Sequence, residues 1–171
     1  MSVSFDLIFS GSHRSPSPVP RRNPFTGQDV EVYTYTLSEK ELRDAKAVLS
    51  SHKASDDGDR HHVIQLADGV RMEVTVGSKQ DGEQGTWGVM FRILSPDAMK
   101  FLYELASAGK FLVQSDDASV ATSEAAKNSA KARGNDFDAK CAVAKSPEEM
   151  GVLLKDGFEA WKAYAQQVTN K

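Results

Sequence analysis

Apolar and polar residues alternate along residues 3–9, so that Val3, Phe5, Leu7 and Phe9 share one side of an extended chain. Alternation at period two predicts a half-buried strand. The stretch from Gly11 to Gly27 breaks this pattern. It holds four of the six prolines, and Pro16, Pro18 and Pro20 favour an extended, polyproline-like path. Asn23-Pro24-Phe25-Thr26-Gly27 follows as a turn, with proline setting φ and Gly27 free to take a positive φ. Val30, Val32, Tyr33, Tyr35 and Thr36 then restore strand character, since branched and aromatic side chains fit a pleated surface.

Helix signals begin at Ser38-Glu39-Lys40-Glu41, a capping box in which the Ser38 hydroxyl and the Glu41 carboxylate each satisfy an orphan backbone N–H. Leu37 and Leu42 are spaced as the hydrophobic staple across it. Leu42, Ala45, Val48 and Leu49 continue an apolar stripe to about His52. After an acidic loop from Ala54 to Arg60, residues 62–76 read as a β-hairpin turning at Asp68-Gly69. Trp87, Val89, Phe91 and Ile93 alternate in a further strand. Ser95-Pro96-Asp97 opens a second helix, with Ala98, Phe101, Leu102, Leu105 and Ala106 inward and Gly109 as its stop. Phe111 to Val113 make a short buried strand. Residues 121–133 have helix propensity but almost no large apolar side chain, so the segment from Ser115 to Asp138 reads equally as mobile or as a docked helix. Residues 140–145 suggest another strand. Ser146-Pro147-Glu148-Glu149 is a second capping box, and Met150, Leu153, Leu154, Phe158, Trp161, Ala165 and Val168 form the stripe of a core helix.

Strands and helices alternate irregularly, with hairpins between them. The expected fold is α+β: a mainly antiparallel sheet with two or three helices on one face and a long Pro-rich hairpin arm. A doubly wound parallel sheet is excluded, because residues 66–70 leave no room for a crossover helix. The 171 residues fit one domain, 1–171, able to bury roughly 70% of the surface its unfolded chain exposes. No apolar run is long enough to span a bilayer. The start, Met-Ser-Val-Ser-Phe-Asp, lacks the basic region of a secretory leader, so the expected compartment is cytoplasmic.

Charge and side-chain chemistry narrow the function. One cysteine, Cys141, excludes a disulfide framework and, alone, a thiolate zinc site. Set among Ala142, Val143 and Ala144, it reads as a small core hydrophobe. His61 and His62 adjoin Asp56, Asp57 and Asp59, but neighbours on a strand point to opposite faces, so the two imidazoles cannot share an ion. No metal and no cofactor are expected. The Gly77, Gly82 and Gly85 spacing fits no phosphate-binding loop, and the carboxylate pairs fall in a loop (Asp116-Asp117) and a helix start (Glu148-Glu149). No catalytic set converges.

The net charge is −3, whereas residues 11–28 carry three arginines and no acid, so the remainder carries −6. Arg22-Asn23-Pro24-Phe25-Thr26-Gly27 is similar to the tip of the DNA-bending arm of the bacterial HU/IHF proteins. That resemblance implies Pro24 as a wedge between base steps and Arg22 in the minor groove. An acidic body argues against nucleic acid, because phosphate neutralisation supplies much of such affinity. The same residues also suit a stiff protein-recognition loop. Arg21 to Gly27 and the strand–Ser-Pro–helix unit from Phe91 to Leu105 resemble, in style, immunity proteins of polymorphic toxin systems and other small bacterial α+β proteins. The resemblance implies a non-enzymatic inhibitor that binds a cognate toxin. The expected partner-binding residues are Arg14, Arg21, Arg22 and Phe25 on the arm, with Asp56, Asp57 and Asp59 on the acidic body. The alternatives are nucleic-acid binding through the arm, and an enzyme of unfamiliar type using Cys141 or His62.

Overall fold

The computed structural model describes residues 3–56, 58, 60–78, 85–116, 118–132 and 140–169. Its fold is α+β, built on an eight-stranded, mainly antiparallel sheet. Strands β1 (Phe5–Ser10), β7 (His61–Gln65), β8 (Arg71–Thr75) and β9 (Thr86–Phe91) form its middle. Strands β10 (Leu112–Gln114), β11 (Ser119–Ala121) and β12 (Ala142–Val143) extend one side, and β6 (Ser55–Asp56) closes the other. The order is β12-β11-β10-β1-β9-β8-β7-β6, with only the β11–β12 pair parallel. Both edge strands have two residues, which leaves little unpaired backbone to recruit another chain.

Alternation sorts the two faces. Phe5, Leu7, Phe9, Ile64, Met72, Val74, Trp87, Val89 and Phe91 are buried on the inner face. Helices α1 (Glu39–Ser51), α2 (Pro96–Gly109) and α4 (Pro147–Thr169) cover them with Ala45 and Leu49, Phe101 and Leu105, and Met150 and Phe158 respectively. Aromatic rings knit this layer: Phe91 stacks on Phe158 at 6.0 Å, and Phe5 meets both edge-on. The expected strand from Thr86 stops at Phe91, before Ile93, which is 59% exposed. The core helix α4 is buried only along its first half; Trp161 lies half-buried over Phe5 and Phe158, and Tyr164 faces solvent.

Three helices share one face, as expected, but a further helix takes the other. Helix α3 (Glu124–Ala132) packs Ala126 and Ala130 on Leu112, Ala121 and Cys141. Two buried alanines are enough to dock it, so the poverty of large residues does not leave the helix free. Cys141 is buried in this second cluster. Residues 117 and 133–138 of the segment read as mobile or docked lie outside the described residues.

Helix ends follow their local signals, with two departures. Ser38 and Glu41 form the full capping box, and Ser95 caps α2 with Pro96 behind it. At Ser146 the hydroxyl accepts from the Glu149 amide, while the Glu149 carboxylate accepts from Lys145, one residue before the expected partner. Gly109 is not the left-handed stop of α2; Lys110 is, at φ 48°. Gly109 is needed instead for contact, because a Cβ there would collide with the Phe111 ring.

Truncation should expose this division of labour. Phe101→Ala, at the centre of the inner layer, should cost about 3–5 kcal/mol in chemical denaturation, whereas Phe25→Ala should stay within about 0.5 kcal/mol. Equal losses from the two would contradict the assignment of faces.

Candidate functional site: the arm and the open face of the sheet

Between β1 and α1 the chain leaves the sheet as an arm. Strands β2 (His13–Arg14) and β5 (Tyr35–Thr36) pair at its foot, and β3 (Val19–Arg22) with β4 (Asp29–Val32) along its length. The tip is held by Asn23, whose Oδ1 accepts from the amides of Phe25 at 2.9 Å and Thr26 at 3.2 Å. Gly27 takes φ 70°, as the turn chemistry predicts, and Phe25 stands 95% exposed.

The foot of the arm is fastened twice. Glu41, only 5% exposed, accepts the Ser38 amide at 2.9 Å and meets His13 Nε2 at 3.0 Å, with Lys110 Nζ at 3.9 Å. One carboxylate therefore joins the arm, the start of α1 and the end of α2. Burial pushes its pKa up, but the Ser38 amide, the His13 hydrogen bond and the charges of His13 and Lys110 outweigh burial and hold it below its ordinary value of 4.5. The second fastening is steric. Strand β5 crosses so near the sheet that a Cβ on Gly11 would collide with the Thr36 carbonyl, and one on Gly85 with that of Tyr35. Gly11 donates to the Gly85 carbonyl at 2.7 Å in the same crossing.

So held, the arm walls a groove of about 560 Å³ over the outer face of the sheet. The floor runs across the strands along the paired positions Ile8, Gly88 and Thr75. Val32 and Tyr33 form the wall, and Arg21 and Arg60 also line the space. Ile8, on the polar register of β1, is 51% exposed. Beside the groove, Arg14 lies over the Tyr33 ring at 4.1 Å. Further along the same face Arg71 bonds Glu73 at 3.2 Å, and His61 approaches that carboxylate at 3.5 Å.

Of the expected binding residues, Arg21 lines the groove and Arg14 lies over Tyr33 beside it, while Arg22 and Phe25 are exposed further along the arm. Asp56 is elsewhere: it lines a separate hollow of about 370 Å³ with His62 and Lys46, against α1. His61 and His62 point to opposite faces. Asp57 and Asp59 lie outside the described residues. Among the described residues no group of three or more His, Cys, Asp or Glu could hold a metal ion, and no helix is long and apolar enough to cross a membrane. Sequence reasoning missed Arg60, Ile8 and Gly88. Ile8 carried a signal, as an apolar residue in an outward register; Arg60 joins Arg21 only through the fold.

No protein-family model, curated protein or solved structure matches this chain. The two resemblances therefore rest on their residues alone. For the DNA-bending arm, the completed hairpin changes the charge: Asp29 pairs with Arg22, and Glu31 with Pro20, so residues 19–32 carry two arginines and two acids.

Glu41 gives the site a pH signature. A depressed carboxylate contributes stability above its unfolded pKa, and that contribution is lost as pH falls through the folded value. Unfolding free energy should decline as pH drops below about 4.5. Glu41→Gln should cost about 1–3 kcal/mol near neutrality and flatten that acid limb, measured by urea titration across pH. An unchanged limb in the variant would show that Glu41 does not carry it.

Proposed function

We propose that this chain is a non-enzymatic protein-binding module of the immunity-inhibitor type, which covers a functional surface of its partner, a bacterial toxin, with the arm and the open sheet face. The observation that carries this reading is one-sided burial. Three helices bury the inner face, α3 takes only the β10–β12 end of the other, and among the described residues no helix covers the rest, beside a fastened arm. An arm stiffened by proline and pinned at its foot loses little entropy on binding. Exposed Phe25 with Arg21 and Arg22 supplies the side chains that dominate binding hot spots. The near balance of charge on the hairpin favours protein over nucleic acid, whose phosphates reward an unbalanced basic surface.

The test is titration against the proteins encoded beside its own gene. A stable complex at micromolar concentration is expected, weakened roughly ten-fold or more by Arg21→Ala with Phe25→Ala and unaffected by Tyr164→Ala on the far end of α4. Absence of any complex, or equal weakening by Tyr164→Ala, would contradict the reading.

A further inference from the structure

The arm carries an open strand edge. The Asn23 amide donates to the Gln28 carbonyl at 2.8 Å, which makes this the first hydrogen-bonded pair below the tip. Pairs in an antiparallel ladder alternate between bonded and non-bonded. Arg22 with Asp29 and Pro20 with Glu31 are therefore non-bonded pairs, whose backbone groups point away from the opposite strand. On β3 that outward edge lacks a donor at Pro20, since proline has no N–H. On β4 the N–H and C=O groups of Asp29 and Glu31 both face outward. Neither residue makes another hydrogen bond or an ion pair among the described residues, and all four residues of β4 are exposed. The main sheet, by contrast, ends in strands of two residues.

The two faces of β4 decide what can pair there. Asp29 and Glu31 share one face, and Val30 and Val32 share the other, on the side where Val32 lines the groove. Residues directly opposite each other in a ladder share a face, where unlike charges attract and like charges repel. A second copy of β4 is a poor occupant, because the register that sets Val30 against Val30 also sets Asp29 against Glu31.

We infer that β4 receives, antiparallel, an extended segment of the partner protein in which basic and apolar residues alternate. Its basic side chains lie beside Asp29 and Glu31, its apolar ones beside Val30 and Val32, and its backbone satisfies the outward groups of β4. This rests on the protein-binding reading and specifies it: backbone pairing supplies affinity, and the alternation of β4 chooses the segment. Two carboxylates alone would attract any cation; the strand edge restricts them to an extended chain.

The experiment uses the full chain and three peptides: Lys-Val-Lys-Phe-Lys-Val-Lys, its block-ordered isomer Lys-Lys-Val-Phe-Val-Lys-Lys, and Glu-Val-Glu-Phe-Glu-Val-Glu. Binding is read and located by amide NMR shifts on titration. The alternating lysine peptide should shift the amides of Asp29 and Glu31, and the other two should leave them in place. Methylating its lysine amide nitrogens should abolish binding, because in an antiparallel pair those amides face Asp29 and Glu31. Methylating its valine and phenylalanine amides should not. Asp29→Lys with Glu31→Lys, which leaves the ladder to β3 intact, should pass the preference to the glutamate peptide. Equal binding of the block isomer, shifts confined to other faces, no binding of the alternating peptide, or indifference to lysine methylation would each overturn the assignment. If those results came with a partner complex still sensitive to Phe25→Ala, the inference would fail while the protein-binding reading stood.

Discussion

A single buried carboxylate, Glu41, holds the arm, the first helix and the end of the second in one place. Its oxygens accept the Ser38 amide and meet His13 and Lys110, three groups from distant parts of the chain. Burying a carboxylate costs free energy unless it is fully bonded, and a fully bonded one is correspondingly intolerant of rearrangement. The arm would otherwise be a long hairpin tethered at its ends. With its foot bonded to Glu41 and its return strand pressed on Gly11 and Gly85, it stands at a set position over the sheet. The groove exists because of that position.

Asymmetry of the sheet supplies the other half. The inner face is closed by helices and interlocked rings. The outer face divides: α3 covers its β10–β12 end with alanines, while among the described residues no helix covers β1, β9, β8 and β7 on that side. That open region mixes Ile8 and Met90 with Thr75, Glu73, Arg71 and His61, a composition compatible with solvent and also able to bind. Edge strands of two residues limit uncontrolled pairing of the sheet with other chains.

What the sequence discloses is what short-range physics decides. The capping box at Ser38, the Asp68-Gly69 hairpin and the alternation through Phe9 in β1 and Phe91 in β9 read correctly, because each signal lies within a few residues of its effect. Long-range contact decides the rest. Gly109 looks like a helix stop, yet Phe111 packing explains the glycine and Lys110 takes the left-handed turn. Nothing local tells that α3 docks on the face opposite the other helices. At the site, the arm and its tip are legible from proline, asparagine and glycine. Arg60 and Gly88 become part of it only once the sheet is assembled and the arm laid over it.

The groove exists only if the arm is part of the rigid body. Backbone ¹⁵N relaxation of the free chain measures this directly. Order parameters for Arg14, Tyr33 and Tyr35 should match those of β8 and β9, about 0.85 as for rigid backbone. Values below about 0.6 at these positions, with the sheet rigid, would mean that the arm swings free and that the groove is not a built feature of the protein.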